Sequence, residues 1–156
     1  MIENSLSKLV WEFQIKSKVL MEVCNSIKIR ITPFETYRSR ARQARLYANK
    51  KPGQAVAKPG QSYHERGKAV DWVFTSPSWQ ISWVWSYPSV HFVWFMCWVT
   101  PIYKNGQLVE SCHLQDDGTT IARVMQKNST RYGKETKKNQ DLLSLVNTTF
   151  RKYWYK

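Results

Sequence analysis

The stretch SYHERGKAVD carries two side chains that can bind a metal ion, His64 and Asp71, seven positions apart. A strand over 68–74 would set Asp71 beside the small Ala69, because successive side chains of a strand alternate between its two faces. Gly67 can adopt a backbone conformation that other residues avoid, which would let the chain fold back and bring His64 towards Asp71. On these residues alone, an ordinary hairpin with a hydrogen-bonded histidine and aspartate is the better interpretation.

Further candidate ligands occur in LVESCHLQDDG, where Glu110 precedes His113 by three positions. On a regular strand these two side chains would point to opposite faces, so we predict an irregular segment that brings both to one side. His64, Asp71 and His113 would together offer two imidazoles and one carboxylate, a set that suits zinc with a fourth position open to water. Glu110 would then be a carboxylate able to accept that water's proton, as in a hydrolase centre.

The third histidine of the chain, His91, lies inside the apolar run VHFVWFMCWV at 90–99. A histidine in such surroundings is usually a core residue or a packing residue. We therefore predict that His91 is not a ligand and that the run forms a buried helix or strand.

The segments around the candidate ligands predict mainly helices and loops. Apolar residues within 4–27 recur at mostly helical spacing, and 37–48 is rich in helix formers with Ser39 as its N-cap. Two Pro-Gly pairs in 49–62 indicate a loop, and a further helix is expected around 136–150. We expect an α+β fold in which N-terminal helices pack on a small antiparallel sheet that carries the zinc site on one face.

Length and composition indicate one folded unit spanning 1–156. The chain has 42% hydrophobic residues and eight tryptophans, which argues against disorder, and it shows no internal repeat or low-complexity linker. Its three cysteines are scattered, and no two of them have C-x-x-C spacing. This pattern argues against a disulfide framework or a cysteine-rich zinc knuckle and predicts reduced thiols.

The N-terminal segment contains Glu3, Lys8 and Glu12 among its apolar residues, so it lacks the uninterrupted apolar core of a secretory signal. The apolar run at 90–99 is about half the roughly 20 residues that a membrane-spanning helix needs. We expect a monomer that is made in the cytoplasm without a signal peptide or membrane span.

The net charge of +13 is concentrated between 38 and 68, a segment that has many basic residues and only one acidic residue, Glu65. Such a segment favours an anionic partner, either nucleic acid or an acidic cell-envelope polymer, although a merely solvated surface is equally compatible. No helix-turn-helix, RNA-recognition or zinc-finger pattern is present. Nucleic-acid binding is therefore the weaker alternative.

Three blocks of the chain resemble the zinc-dependent peptidoglycan peptidases, which include D-alanyl-D-alanine carboxypeptidases and the L-alanyl-D-glutamate endopeptidases of bacteriophage lysis. SYHERGKAVD fits the family's S-x-H-x-x-G-x-A-x-D pattern at every fixed position. ESCHLQ is similar to its acid-x-x-H-[aromatic or aliphatic]-Q block, and YRSRARQ resembles its Y-R-S-x-x-x-Q block. The blocks follow the family's order between Tyr37 and Gln115.

The resemblance implies a Hedgehog/DD-peptidase-like fold and a Zn²⁺ cofactor held by His64, Asp71 and His113. It also implies Glu110 as general base and Arg38 as a residue that polarises a substrate carbonyl or binds a carboxylate. Supporting roles, for the metal ligands or the substrate, would fall to Ser62 and Gln43.

The implied activity is hydrolysis of an amide bond in the stem peptide of peptidoglycan, on a cell wall that the protein reaches after release. The chain departs from the family in WVTPIYKNGQLV, which lacks a Gly-Gly-Trp found in many phage endopeptidases, and in Cys112, where proline is common. The amide bond that is cleaved therefore stays open between the two activities. A non-catalytic zinc-bearing module that binds the cell wall is the main alternative, and the intact Glu110 counts against it.

Overall fold

The computed structural model describes residues 2–76, 78, 80–83, 88–104 and 107–155, and it describes no side chains within 102–111. The α-helices are α1 (Trp11–Ser26), α2 (Arg40–Ala48), α3 (Pro88–Cys97), α4 (Ile121–Arg131) and α5 (Lys137–Trp154). Short 3₁₀ turns cover Leu6–Lys8, His64–Arg66 and Tyr132–Lys134. The strands are β1 (Ile31–Glu35), β2 (Ala69–Thr75), β3 (Ile81–Ser82), β4 (Val99–Lys104) and β5 (Gln107–Asp116).

The strands form one antiparallel sheet in the order β1-β2-β5-β4, and β3 pairs with the end of β2. One face of this sheet is apolar. Val70 and Trp72 of β2 and Leu114 of β5 are completely buried there, in a cluster with side chains from α1, α3, α4 and α5. The predicted α+β architecture, with helices on a small antiparallel sheet, is confirmed.

The opposite face of the sheet carries the polar residues. Glu35 of β1 pairs with Asp71 of β2, and Asp71 pairs with His113 of β5, so the three residues form one row across three strands. Paired residues of neighbouring strands point to the same face. This row lies opposite the core, beside α2 and the loop at 49–62.

The N-terminal helix is shorter than predicted. Instead of one helix over 4–27, a 3₁₀ turn is followed by an extended Leu9 and Val10, and α1 begins at Trp11. The interruption has a tertiary cause, because the Val10 N–H donates to the carbonyl of Gly67 at 3.0 Å. The N-terminus thereby packs against the turn that contains His64.

Helix α3 confirms a buried helix at the apolar run, and of the two roles expected of His91 it has the packing role and not the core position. The side chain of His91 is exposed and stacks on the ring of Trp94, with centroids 4.5 Å apart. In α3 the buried residues are Val90, Val93, Trp94, Met96 and Cys97. His91 and Phe95 lie one turn apart on the outward side, because residues four apart share a helix face.

The three cysteines are thiols, as predicted, and burial raises the pKa of Cys24 to about 12. No helix in the described part of the chain combines the length and the apolar character that crossing a bilayer would take.

Candidate metal centre

A tight 3₁₀ turn carries His64, whose side chain is buried. The turn ends at Gly67, which has a left-handed backbone with φ 65°, and the Gly67 N–H donates to the His64 carbonyl at 3.2 Å. A side chain at this position would be excluded, since a Cβ atom would lie 2.7 Å from the carbonyl oxygen of Lys8. The conformation that the sequence analysis expected of Gly67 is therefore present and sterically required.

The imidazole of His64 is 1% exposed, and its Nδ1 atom lies 2.7 Å from the carbonyl oxygen of Thr36. A carbonyl oxygen can only accept a hydrogen bond, so Nδ1 carries the proton. The lone pair of the ring is then on Nε2, which faces Asp71 and His113. A backbone carbonyl that fixes the tautomer in this way is typical of metal-binding histidines.

The three predicted ligands converge. His64 Nε2 lies 3.3 Å from Asp71 Oδ1 and 3.2 Å from His113 Nδ1, while His113 Nδ1 lies 2.7 Å from Asp71 Oδ1. Donor atoms bound to one tetrahedral zinc ion at about 2.0–2.2 Å are separated by about 3.3–3.6 Å. The separation of 3.3 Å has this size and the one of 3.2 Å lies just below it, while the third, of 2.7 Å, is a hydrogen bond of the metal-free arrangement. The donor set and its spacing therefore fit a zinc ion.

His113 is supported from its other side by Gln115, whose amide nitrogen Nε2 lies 3.0 Å from His113 Nε2. An amide group can present either its nitrogen or its oxygen to a neighbour after rotation. With the oxygen presented, Nε2 would keep the proton and Nδ1 would offer its lone pair to a metal ion. Gln115 is thus suited to select the tautomer of His113.

Asp71 is an ionised carboxylate between cationic and polar groups. Burial alone would raise its pKa, but the hydrogen bonds with His113 and His64 outweigh burial and hold the pKa well below the usual range. Its Oδ1 atom faces the two imidazoles, while Oδ2 accepts a hydrogen bond of 3.3 Å from Arg38 Nη2. The carboxylate is therefore fixed in orientation, with one oxygen directed at the candidate metal position.

Arg38 is held by two further groups. Its Nη2 donates to Glu35 Oε2 at 2.6 Å, and its Nη1 donates to Gln43 Oε1 at 2.9 Å. Gln43 is almost fully buried and donates in turn to the carbonyl of Ala57 at 2.7 Å, which connects α2 to the loop. Glu35, which the sequence analysis did not identify, also accepts from Arg42 Nε at 2.6 Å. An acid three positions before Arg38 was the signal that could have revealed it.

The structure describes fewer contacts for Ser62 and Glu110 than for the other predicted site residues. Ser62 is buried, and its carbonyl accepts from the Glu65 N–H at the start of the turn that carries His64. Glu110 lies in β5 opposite Ile102, and its side chain is outside the described residues. The pairing jumps from Pro101 with Leu114 to Ile102 with Glu110, so β5 is irregular between Glu110 and His113, as predicted.

A family model for D-alanyl-D-alanine carboxypeptidases, VanY, matches residues 7–92, which is more than half of the chain. The chain belongs to the VanY family. The VanY match contains His64, Asp71 and the residues around Arg38, whereas Glu110 and His113 follow after its end. A search of curated proteins found no match.

Proposed function

We propose that this VanY-family protein is a zinc-dependent peptidoglycan peptidase that hydrolyses an amide bond of the stem peptide. The observation that carries the proposal is the convergence of His64 Nε2, Asp71 Oδ1 and His113 Nδ1 within 3.3 Å of one another. Each of the three side chains has a hydrogen-bond partner on the side away from the other two. These partners are the Thr36 carbonyl for His64, Arg38 for Asp71 and Gln115 for His113. Membership of the VanY family supplies the class of substrate.

A bound zinc ion would supply Lewis acidity and would lower the pKa of a water molecule to about 7. In this proposal Glu110 accepts a proton from the attacking water and returns it to the departing amine. Arg38 orients Asp71 and carries a positive charge beside the centre, where it stabilises negative charge on the carbonyl oxygen of the substrate. Ser62 and Gln43 hold the turn and the guanidinium in place.

Two bonds are candidates for cleavage, the terminal D-alanyl-D-alanine bond and the L-alanyl-D-glutamate bond. The name of the family favours the first, whereas the three blocks resemble peptidases of both kinds. The proposal extends to one peptidase unit over 1–156 that acts as a monomer. It also includes synthesis in the cytoplasm and action on the cell wall after release, as for an endolysin.

Digestion of purified peptidoglycan tests the proposal, with mass spectrometry of the released peptides identifying the new termini. We expect a single kind of new terminus, loss of activity on chelation and recovery on addition of zinc. Zinc binding without any new terminus would contradict the peptidase function and would favour the non-catalytic wall-binding module.

A further inference from the structure

The guanidinium of Arg42 is fixed at one end by Glu35, and its other end is unpaired within the described part of the chain. Its Nε donates to Glu35 Oε1 at 2.6 Å, and its side chain is 25% exposed. Its two terminal amino groups have no partner among the residues that the structure describes. A guanidinium held in this way presents two parallel N–H donors, which match the two oxygens of a carboxylate.

Arg38 differs in this respect, although the resemblance assigns it a role at the substrate. Both of its terminal amino groups donate to protein acceptors, on Glu35, Gln43 and Asp71, and the side chain is only 13% exposed. Its remaining N–H, at Nε, is buried and has no partner among the described residues. The terminal amino groups of Arg38 are therefore engaged by protein acceptors, so that Arg38 acts on a substrate through its charge, whereas among the described residues the terminal donors of Arg42 stay available.

Glu35 links the two arginines to the candidate metal centre. It is 3% exposed, stands in the same sheet row as Asp71, and accepts from Arg38 on one oxygen and from Arg42 on the other. Burial would raise the pKa of Glu35, but the hydrogen bonds from Arg38 and Arg42 lower it, so the carboxylate stays ionised. Three ion pairs in series, Arg42–Glu35, Glu35–Arg38 and Arg38–Asp71, thus connect Arg42 to Asp71.

The charges of this group favour an anionic ligand. Glu35 and Asp71 together balance Arg38 and Arg42, so any divalent cation held by the histidines and Asp71 leaves the centre with a positive surplus. Such a surplus in a partly buried site attracts a negatively charged substrate group.

We propose that Arg42 binds the free α-carboxylate on the leaving side of the scissile amide and that Glu35 is the residue that positions it. The inference rests on the proposed peptidase function. Both candidate bonds have this group: the terminal D-alanine ends in a carboxylate, and D-glutamate, joined through its γ-carboxyl, keeps its α-carboxylate free. Arg42 would therefore select substrates in which that carboxylate is not amidated.

Binding measurements separate this role from catalysis. Zinc-loaded protein in a Glu110→Gln background, in which turnover is expected to be slow, is titrated calorimetrically with the free stem pentapeptide. Two further peptides carry an amide at the C-terminal D-alanine or at the α-carboxyl of D-glutamate. Arg42→Gln removes the charge, Arg42→Lys keeps the charge but loses the fork, and Arg45→Gln is a matched control on the exposed side of α2.

We expect one of the two amidated peptides to bind about 10- to 100-fold more weakly than the free peptide, as a charge-assisted bidentate contact predicts. Arg42→Gln should weaken the free peptide by a similar factor and should not weaken that amidated peptide further. The affinity of Arg42→Lys for the free peptide should lie between those of the parent and Arg42→Gln. The affinity of Arg45→Gln should equal that of the parent. The peptide whose amidation weakens binding also identifies the bond that lies at the metal centre. A loss with the amide at the C-terminal D-alanine indicates the D-alanyl-D-alanine bond, and a loss with the amide at D-glutamate indicates the L-alanyl-D-glutamate bond.

Equal binding of the free peptide by Arg42→Gln and the parent would overturn the role of Arg42, and so would an equal loss on the free and amidated peptides. A parent that binds none of the peptides would overturn this inference together with the proposed function. A parent that binds them with the predicted dependence on Arg42, but releases no new termini from peptidoglycan, would overturn the peptidase function alone.

Discussion

Asp71 and His113 face each other directly across β2 and β5, and His113 Nδ1 lies 2.7 Å from Asp71 Oδ1. Because the two residues are paired in the sheet, the backbone hydrogen bonds of both strands fix the distance between two of the candidate ligands. Only His64 comes from outside the sheet, on a turn that Gly67 closes. The geometry of the centre therefore depends on the sheet register and on that turn.

Replacing Gly67 with alanine should disturb the centre. The new Cβ would meet the Lys8 carbonyl oxygen at 2.7 Å, and the left-handed φ of 65° adds strain of about 1–2 kcal/mol. We expect a loss of more than about 2 kcal/mol in the free energy of unfolding and weaker zinc binding, measured by urea denaturation and calorimetry. Gly53→Ala is the matched control, since Gly53 has φ 81° but no atom within 4 Å of the new Cβ. Equal effects of the two substitutions would show that the packing against Lys8 is unimportant.

Glu110→Gln should separate catalysis from metal binding. The substitution keeps the shape of the side chain and removes the proton acceptor, so hydrolysis should fall by about 10²- to 10⁴-fold. The zinc content and the melting temperature of Glu110→Gln should hardly change. The control is Asp141→Asn, an exposed substitution on α5, which should leave hydrolysis, zinc content and melting temperature unchanged. Full activity of Glu110→Gln would exclude Glu110 as the general base. Loss of zinc from this variant would instead show that Glu110 is a metal ligand.

Lys16 should be essential for stability. It is fully buried on α1, and its Nζ lies 2.8 Å from Asp116 Oδ1 and 3.1 Å from Asp117 Oδ1, at the end of β5. Lys16→Met would leave Asp116 without its buried partner, which typically costs about 3–5 kcal/mol. Urea denaturation measures the loss, with the half-buried Lys18→Met on the same helix as the control. A loss no larger than that of the control would mean that Asp116 finds other partners.

The ion pair between Glu22 and Lys152 should make stability depend on pH. The hydrogen bond from Lys152 lowers the pKa of Glu22, and the hydroxyl of Tyr153 donates to the same carboxylate. A lowered pKa stabilises the fold above the unfolded value of about 4.3, and the contribution disappears as pH falls through the folded pKa.

We therefore expect Glu22→Gln to lower the free energy of unfolding by up to about 1 kcal/mol at pH 7, because the pair is half-exposed. The difference from the parent should shrink as pH falls below about 4.3 and vanish once pH is below the folded pKa of Glu22. A difference that persists at low pH would indicate lost packing and not lost charge.

Several elements around the candidate site could be predicted from the sequence because each depends on neighbouring residues. Gly67 has the left-handed conformation that its type suggests, and the Ser39 side chain accepts from the Arg42 N–H as the predicted N-cap of α2. The strand expected over 68–74 is β2, shifted by one residue. In these cases the signal lies within a few residues of the feature.

Features that depend on distant contacts were not predicted. Strand β1 contains Pro33, which weakens a strand signal, and it forms only as an edge strand beside β2. Lys16 belongs to the charged residues that made the N-terminus look polar, yet it is buried because Asp116 and Asp117 lie a hundred residues away in sequence. Helix α4 is the exception, because its N-cap Thr120 is a local signal that accepts a hydrogen bond from the Arg123 N–H, and the sequence analysis did not predict this helix.

The most direct test of the account is a crystal structure of the zinc-loaded protein with anomalous diffraction at the zinc edge. The account predicts one strong zinc peak about 2.0–2.2 Å from His64 Nε2, Asp71 Oδ1 and His113 Nδ1, with Thr36 and Gln115 still bonded to the far sides of the two imidazoles. A protein that holds no zinc at these three atoms, or a peak that has His91 in place of one of them, would contradict it.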